Sequence, residues 1–332
     1  MEPIRKISII GCGQIGSRHL QAVVKLKGNL KIQVVDPNKE SQKMGKERLG
    51  EALKALPKNH NIKIEWLDNI TSLNNDSNLT IVATTAKGRS EIINQLVQKG
   101  HRRFLIEKIV CQSTEEFEKL LILFDKNKAK GWINCTRRYY PFYKRIINLL
   151  KKEAPIFFSV IAGNLGLGCN VIHFIDLFYA LTQNPTDIKL SGDYLFPEIL
   201  PNPRGNDLIE FAGTIIAETK RYDVCSISFF PYNDTLPLVI ILTKNIRVFI
   251  DEGIHKAVIA KKEHDWQWQN FKFKELYTSI LTTHIAQSII ENDVCNLPTI
   301  QDSYYIHREL LRIFNKHIEL VSGKYTSNCP IT

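Results

Sequence analysis

The chain has 332 residues, 44% apolar and 23% charged, which gives room for two globular domains and excludes wholesale disorder. With 17 Gly and 13 Pro it is neither collagen-like nor linker-rich, and its apolar runs fall short of the roughly 18 residues that cross a bilayer. The net charge of +10 is uneven: residues 1–152 hold 29 Lys/Arg against 14 Asp/Glu, and 153–332 hold 15 against 20. A basic first half suits an anionic partner, nucleic acid or a dinucleotide, but its cations are dispersed and form no dense tract, which favours a solvated surface over nucleic-acid binding.

Residues 7–10 are strand formers, and from 14 to 27 Ile15, Leu20, Val23, Val24 and Leu26 give a largely apolar helical stripe. A strand at 32–35, a helix over 37–56 and a strand at 62–66 follow. Strands at 79–83 and 104–106 flank a helix over 90–99 that Gly100 stops. Ser113-Thr114-Glu115-Glu116 opens another helix, with Ser113 as N-cap and Glu116 at N3 of a capping box. This alternation predicts a parallel sheet wrapped by helices.

After about residue 152 the pattern changes. A strand at 156–162 leads through a glycine-rich stretch at 163–168 into a helix over 170–181. Strands at 209–216, 224–230, 236–242, 246–250 and 257–260 follow without intervening helices, which predicts an antiparallel sheet. Helices over 273–291 and 301–321 close the chain. The expected fold is α/β: an N-terminal dinucleotide-binding domain over 1–130, then an α+β substrate-binding and oligomerisation domain over 131–332 with a large, mostly antiparallel sheet. The run Leu238-Val239-Ile240-Ile241-Leu242 lacks alternation, so its strand is expected to be covered on both faces, by helices of the same chain or by another copy in a homodimer or homotetramer. Trp266 and Trp268 are expected on one face of a strand.

The seven cysteines are an odd count, and no two lie within five residues of each other. That argues against CxxC metal or redox motifs and against a disulfide framework. With no apolar signal region after Met1, a cytoplasmic protein is expected, without a metal and away from membranes.

Gly11-Cys12-Gly13-Gln14-Ile15-Gly16 is a GxGxxG between the first strand and the first helix. Its first glycine permits the tight turn, Gly13 lets backbone approach a pyrophosphate, and Gly16 lets helix and strand pack. Asp36 follows Gly16 by 20 residues at the end of the second strand. A carboxylate there accepts hydrogen bonds from ribose hydroxyls and repels a 2′-phosphate, which favours NAD over NADP.

Residues 11–20 (GCGQIGSRHL), Ile81-Val82-Ala83-Thr84-Thr85, Glu107-Lys108, residues 134–141 (NCTRRYYP), His173-Phe174-Ile175-Asp176, and Leu297-Pro298-Thr299 with Asp302 occur in that order. Together they resemble the glucose–fructose oxidoreductase / inositol dehydrogenase (Gfo/Idh/MocA) family. The resemblance implies NAD(P)-dependent oxidation or reduction of a hydroxyl or keto group on sugars, inositols or nucleotide sugars. It also implies cofactor contacts from Thr84, Thr85 and Glu107 and a catalytic Lys108 matching the family's Glu-Lys-Pro. Ile109 stands where that motif has Pro, and Cys169 where many members carry the Asp of a DxxxH pair.

Alcohol oxidation needs a donor to the developing oxyanion and an acceptor for the hydroxyl proton. Lys108, just past a parallel strand, suits the first role, and His173 suits the second. Asn170, His173 and Asp176, spaced i, i+3 and i+6, are expected near one another on a helix, and Arg137 could grip a substrate phosphate or carboxylate. A competing reading is a dinucleotide-binding sensor or scaffold that keeps the fold and not the reaction.

Overall fold

The computed structural model describes residues 3–57, 61–183, 187–274 and 276–332. They divide into two compact units, one of 1–111, 115–134 and 276–303, the other of 112–114, 135–275 and 304–332.

The first unit begins β1 (Arg5–Ile10), α1 (Gly16–Val23), β2 (Leu30–Val35), α2 (Lys39–Lys54), β3 (Ile62–Leu67), β4 (Leu79–Val82), α3 (Arg89–Gln98), β5 (Arg103–Ile106), α4 (Thr114–Lys126) and β6 (Lys130–Ile133). The strands form one parallel sheet in the order β3-β2-β1-β4-β5-β6. Ile9, Leu79, Ile81, Phe104 and Leu105 are fully buried, as expected of strands covered on both faces. The order reverses between β1 and β4, which is where sheets of this kind open a crevice at their carboxyl ends. Asn38 starts α2 by accepting the Glu40 and Ser41 N–H groups at 2.9 and 3.1 Å.

The short β6 has no strong strand signature. It is recruited by pairing with β5 and by the Ile133 N–H, which donates to the Pro298 carbonyl at 2.9 Å. Gly131 is needed there, since a Cβ would lie 2.8 Å from the Phe124 ring.

The second unit supplies α5 (Pro141–Leu150), β7 (Phe157–Ala162), α6 (Leu167–Leu181), β8 (Lys189–Leu195), β9 (Leu200–Pro201), β10 (Ile209–Glu210), β11 (Gly213–Glu218), β12 (Val224–Phe229), β13 (Leu238–Leu242), β14 (Ile246–Asp251), β15 (Lys256–Lys261) and β16 (Trp268–Lys272). Eight strands form a sheet in the order β16-β15-β14-β13-β7-β12-β11-β8, antiparallel except where β7 meets β12. The strand expected over 209–216 breaks into β10 and β11 at Gly213. That residue has φ +107°, and a Cβ there would fall 2.4 Å from the Tyr194 carbonyl oxygen.

Two long helices close the chain, α7 (Thr278–Asn292) and α8 (Ile300–Ser322). The helix expected from 273 begins later because Phe271 and Lys272 still belong to β16; residue 275 lies outside the described residues. The linear division at 130/131 does not describe the compact units, because α7 belongs to the first and packs along α1. Lys25 Nζ donates to the Ser279 carbonyl at 2.9 Å, and the Thr283 hydroxyl donates to the Ala22 carbonyl at 2.8 Å. The Thr299/Asp302 pair is a reciprocal cap on α8: the Asp302 N–H donates to Thr299 Oγ1 at 3.1 Å, and the Thr299 hydroxyl donates to Asp302 Oδ2 at 2.8 Å.

One face of the eight-stranded sheet is packed by α6, with Phe174 edge-on to Phe229 at 6.1 Å and Phe158 against Phe178 at 6.0 Å. The opposite face is open. In β13 the apolar run alternates in burial after all: Val239 and Ile241 are buried while Leu238 and Leu242 are exposed, so helices of the chain do not supply a second cover. Phe157, Ile161, Phe249 and Trp268 are exposed as well. Trp266 does not share a strand face with Trp268. It sits before β16 at φ +59°, under the Arg247 guanidinium at 3.9 Å.

Candidate active site

The 11–16 turn joins β1 to α1 at the sheet's carboxyl edge. Gly11 has φ +85°, and a Cβ there would press to 2.9 Å on the Ala83 backbone at the end of β4. A Cβ on Gly16 would lie 1.9 Å from the Gly11 carbonyl oxygen, so only glycine lets the helix start this close. Around Gly13 the nearest atom to a Cβ is Ser41 Oγ at 3.9 Å, which leaves the open cradle a pyrophosphate needs.

The Cys12 N–H donates to Asp36 Oδ2 at 2.6 Å, and the Asn38 N–H donates to Asp36 Oδ1 at 2.9 Å. The carboxylate is thereby locked beside the turn, and each oxygen keeps lone pairs for further donors. Burial and then the Asp36 charge push the Cys12 thiol up to about 12, so it stays neutral. Gln14 is held by Arg48, whose guanidinium reaches the Gln14 carbonyl at 2.8 Å and its side-chain oxygen at 2.6 Å, while Ile15 is exposed.

At the end of β4 the Thr84 hydroxyl oxygen is buried with no hydrogen-bond partner among the described residues, whereas Thr85 is exposed. An orphaned hydroxyl here, an open glycine cradle and a fixed carboxylate fit a dinucleotide laid across the edge of this sheet.

Lys108 follows β5 and is buried at 8% exposure; the Lys108–Ile109 peptide is cis. Its neighbour Glu107 anchors a buried network, accepting from His19 Nε2 at 2.9 Å and from the Asn134 amide. His19 Nδ1 meets the Thr282 hydroxyl at 2.8 Å, so the network links α1, α7 and the ends of β5 and β6. Burial would raise the Glu107 carboxyl, but the His19 hydrogen bond and the nearby charges outweigh it and hold the group below the ordinary carboxylate range. Glu107, expected at the cofactor, has its Oε1 occupied by this scaffold.

Sequence reasoning passed over Arg89. It is 1% exposed, and its guanidinium donates to the carbonyls of Glu107 (2.5 Å), Ile109 and Thr84. One side chain therefore clamps the backbone on both sides of Lys108 and ties it to the end of β4. Burial lowers its pKa to about 10, with Glu107 opposing, which leaves it charged at neutral pH. No local pattern announces it, because its partners are carbonyls that any residue could supply.

In the second unit, α6 carries Asn170, half-buried His173 and buried Asp176. The Asn170 amide donates to the carbonyls of Leu165 and Gly166 at the helix start. Asp176 binds Arg138: Arg138 Nε donates to Oδ2 at 2.7 Å and Nη2 to Oδ1 at 2.6 Å, with both side chains buried. The expectation that Asn170, His173 and Asp176 lie near one another is limited by helical geometry. Six residues are about 1.7 turns, which carries Asp176 roughly 120° round the helix from Asn170.

Where a DxxxH carboxylate would stand, Cys169 is buried, and Glu210 arrives from β10 instead. Its Oε2 accepts the Cys169 N–H at 3.3 Å, at the amino end of α6. A Cβ on Gly166 would fall 2.7 Å from this carboxylate, so the glycine-rich stretch makes room for it. Burial raises the Glu210 carboxyl, opposed by the Cys169 side chain and the surrounding N–H groups.

Arg137 lies in the wall of a cavity, already paired. Its fork already holds Glu252, Nε to Oε1 at 3.2 Å and Nη2 to Oε2 at 2.9 Å, and its guanidinium lies 3.8 Å from the centre of the Phe174 ring. Beside it lies a cavity of about 240 Å³, lined in part by Asn170, Phe174, Glu252, His255 and Phe273. Among the described residues no group of three or more His, Cys, Asp and Glu is arranged to hold a metal ion, and no helix is long and apolar enough to cross a membrane.

The fold and the glycine turn define a dinucleotide-binding Rossmann protein. Residues 5–135 match the family described as "Oxidoreductase family, NAD-binding Rossmann fold" (GFO_IDH_MocA). The N-terminal domain thus belongs to the Gfo/Idh/MocA family of NAD(P)-dependent oxidoreductases, as the ordered motifs imply. No curated protein matches the sequence.

Among solved structures, a dehydrogenase from Clostridium difficile is similar with a TM-score of 0.72 at 18% identity, over 94% of this chain and 99% of that one. The UDP-N-acetylglucosamine 3-dehydrogenase of Acidithiobacillus ferrooxidans scores 0.73 at 14% identity, over 97% and 100%. A 3-ketoreductase from Actinomadura kijaniata, in complex with TDP-benzene and NADP, scores 0.68 at 14% identity, over 94% and 96%. At these identities the likeness is one of fold.

Proposed function

We propose that the protein is an NAD-dependent oxidoreductase acting on a hydroxyl or keto group of a sugar or nucleotide sugar. Asp36 carries the cofactor choice. Its carboxylate, pinned by the Cys12 N–H at 2.6 Å, is suited to accept the ribose hydroxyls and to repel a 2′-phosphate. In this reading the 11–16 turn holds the pyrophosphate, Thr84 and Thr85 border the nicotinamide, and the bound cofactor supplies hydride transfer. Lys108 donates a hydrogen bond to the substrate oxygen, and His173 accepts the hydroxyl proton.

The names of two structural relatives, a nucleotide-sugar dehydrogenase and a 3-ketoreductase, support the substrate class. A second copy of the chain covers the open sheet face with its exposed Phe157, Leu238, Leu242 and Phe249, in a cytoplasmic homodimer or homotetramer. A monomeric mass by light scattering would count against that assembly.

Calorimetric titration with NADH and NADPH tests the cofactor. Tighter NADPH binding overturns the Asp36 argument, and binding of neither overturns the function. For the proton acceptor, His173→Ala should lower the oxidation rate roughly 10²–10⁴-fold.

A further inference from the structure

The cavity beside α6 differs from an anion pocket in one respect. Its cation is already matched. Arg137 and Glu252 meet through two hydrogen bonds, and their side chains are only 16% and 14% exposed. The Tyr143 hydroxyl adds a third bond to Glu252 Oε1 at 2.6 Å. Burial works against the Arg137 charge, but Glu252 outweighs it and raises the pKa, so the guanidinium stays charged opposite the Glu252 carboxylate. A carboxylate or phosphate entering here would meet Glu252 as a like charge, while the fork that could have received it is occupied.

The remaining wall is apolar and aromatic. The Phe174 face backs the guanidinium, and Phe273 is stacked on Phe142 at 4.7 Å with Leu236 and Pro237 nearby. One polar group there lacks an internal partner: His255 Nδ1 is buried with no hydrogen bond among the described residues. The His255 backbone has φ +53° in the turn between β14 and β15, and its ring lies edge-on to Phe273 at 5.8 Å. Ring-stacking surface, carboxylate acceptors and an unsatisfied imidazole nitrogen together suit a ligand with an apolar face and a rim of hydroxyls. At about 240 Å³ the cavity is smaller than the roughly 300–1,000 Å³ of sites for drug-sized ligands, so it holds a single ring and no nucleotide.

We propose that this cavity receives the sugar ring of the substrate and selects an uncharged one, a neutral hexose or cyclitol, over uronates and phosphorylated sugars. Glu252 sets that selectivity by neutralising Arg137, and His255 Nδ1 meets a ring hydroxyl. The proposal rests on the oxidoreductase reading above and adds the charge of the ring.

The test is a binding measurement that needs no turnover. Protein saturated with NADH is titrated, by saturation-transfer NMR and calorimetry, with matched sets from several stereochemical series: the aldose, its uronamide, its uronate and its 6-phosphate. Within any set that binds, the two neutral members should bind at least about tenfold more tightly than the two anions. Glu252→Gln, which removes the opposing charge, should narrow the gap between uronamide and uronate by about tenfold. His255→Ala should weaken the neutral and anionic members alike and leave that gap unchanged.

A uronate or phosphate that binds wild-type protein more tightly than its neutral partner overturns the proposal, and this arm requires no variant to fold. A folded Glu252→Gln with an unchanged gap also overturns it. NADH binding with no sugar of any set bound rejects the cavity assignment and leaves the oxidoreductase reading standing. Failure to bind NADH rejects that reading first.

Discussion

Arg89 in the first unit and Arg138 in the second are both buried, at 1% and 9% exposure, and they are neutralised in different ways. Arg138 faces one carboxylate and ties α6 to the segment that enters the second unit. Arg89 hydrogen-bonds three carbonyls, and its nearest opposite charge, Glu107, acts at a distance. The first arrangement is a brace between elements. The second fixes the path of a loop, and that loop carries Lys108.

Replacement should separate the two roles. Arg89→Met orphans three carbonyls at once; at about 1–3 kcal/mol each, a loss of about 4 kcal/mol or more is expected by urea melting. Arg89→Lys, which keeps the charge and loses the fork, should retain most of the stability while lowering turnover more than NADH affinity. Equal losses in both would make Arg89 a brace like Arg138.

Arg138→Met removes the two-pronged cation from buried Asp176, for an expected cost of about 3–5 kcal/mol. Adding Asp176→Leu should restore most of it, because no charge is then left behind. No such rescue is available to Arg89, and a second-site recovery there would erase the distinction.

Lys108→Met should leave the fold intact and lower turnover about 10²–10³-fold, the usual loss of one oxyanion donor, with NADH affinity nearly unchanged. An active variant would move the clamp's purpose away from catalysis.

The smallest effect concerns Glu210. Its folded pKa is raised by burial, so the folded state holds its proton at pH values where the unfolded chain has released it. Stability from this group is full below the ordinary glutamate range and declines as pH rises through the raised value. Glu210→Gln should flatten that decline in a series of thermal melts. A decline that persists unchanged would assign it to another group.

Much of the first unit was legible before any tertiary information. Strands buried on both faces are short apolar runs, and a turn that needs positive φ at Gly11 and a bare Gly16 leaves its glycines in the sequence. Less was legible in the second unit. The half-open sheet hides its alternation in β13, because apolar Leu238 and Leu242 stand on the exposed face while Val239 and Ile241 fill the buried one. Strand β8 and helix α5, opened by Pro141, had no sufficient local signal and escaped the reading. The sequence pattern singled out Gly11, Asp36, Lys108 and His173 as motif positions, whereas Arg89, Glu210, Glu252 and His255 stand out only through their tertiary contacts.

The sequence by itself determined the order of β-α-β units, the glycine turn with its carboxylate, and the family that residues 5–135 match, because each rests on local spacing or on ordered motifs. Only the tertiary structure decided who neutralises whom. Arg137 and Glu252 are 115 residues apart and Arg138 and Asp176 are 38 apart, and no periodicity links such pairs. The same holds for α7, whose apolar stripe fits any partner and which joins the first unit only because α1 offers it a matching surface and backbone carbonyls. Burial makes every charge find a counter-charge or a set of carbonyls, and which one it finds is settled by the packing of distant segments.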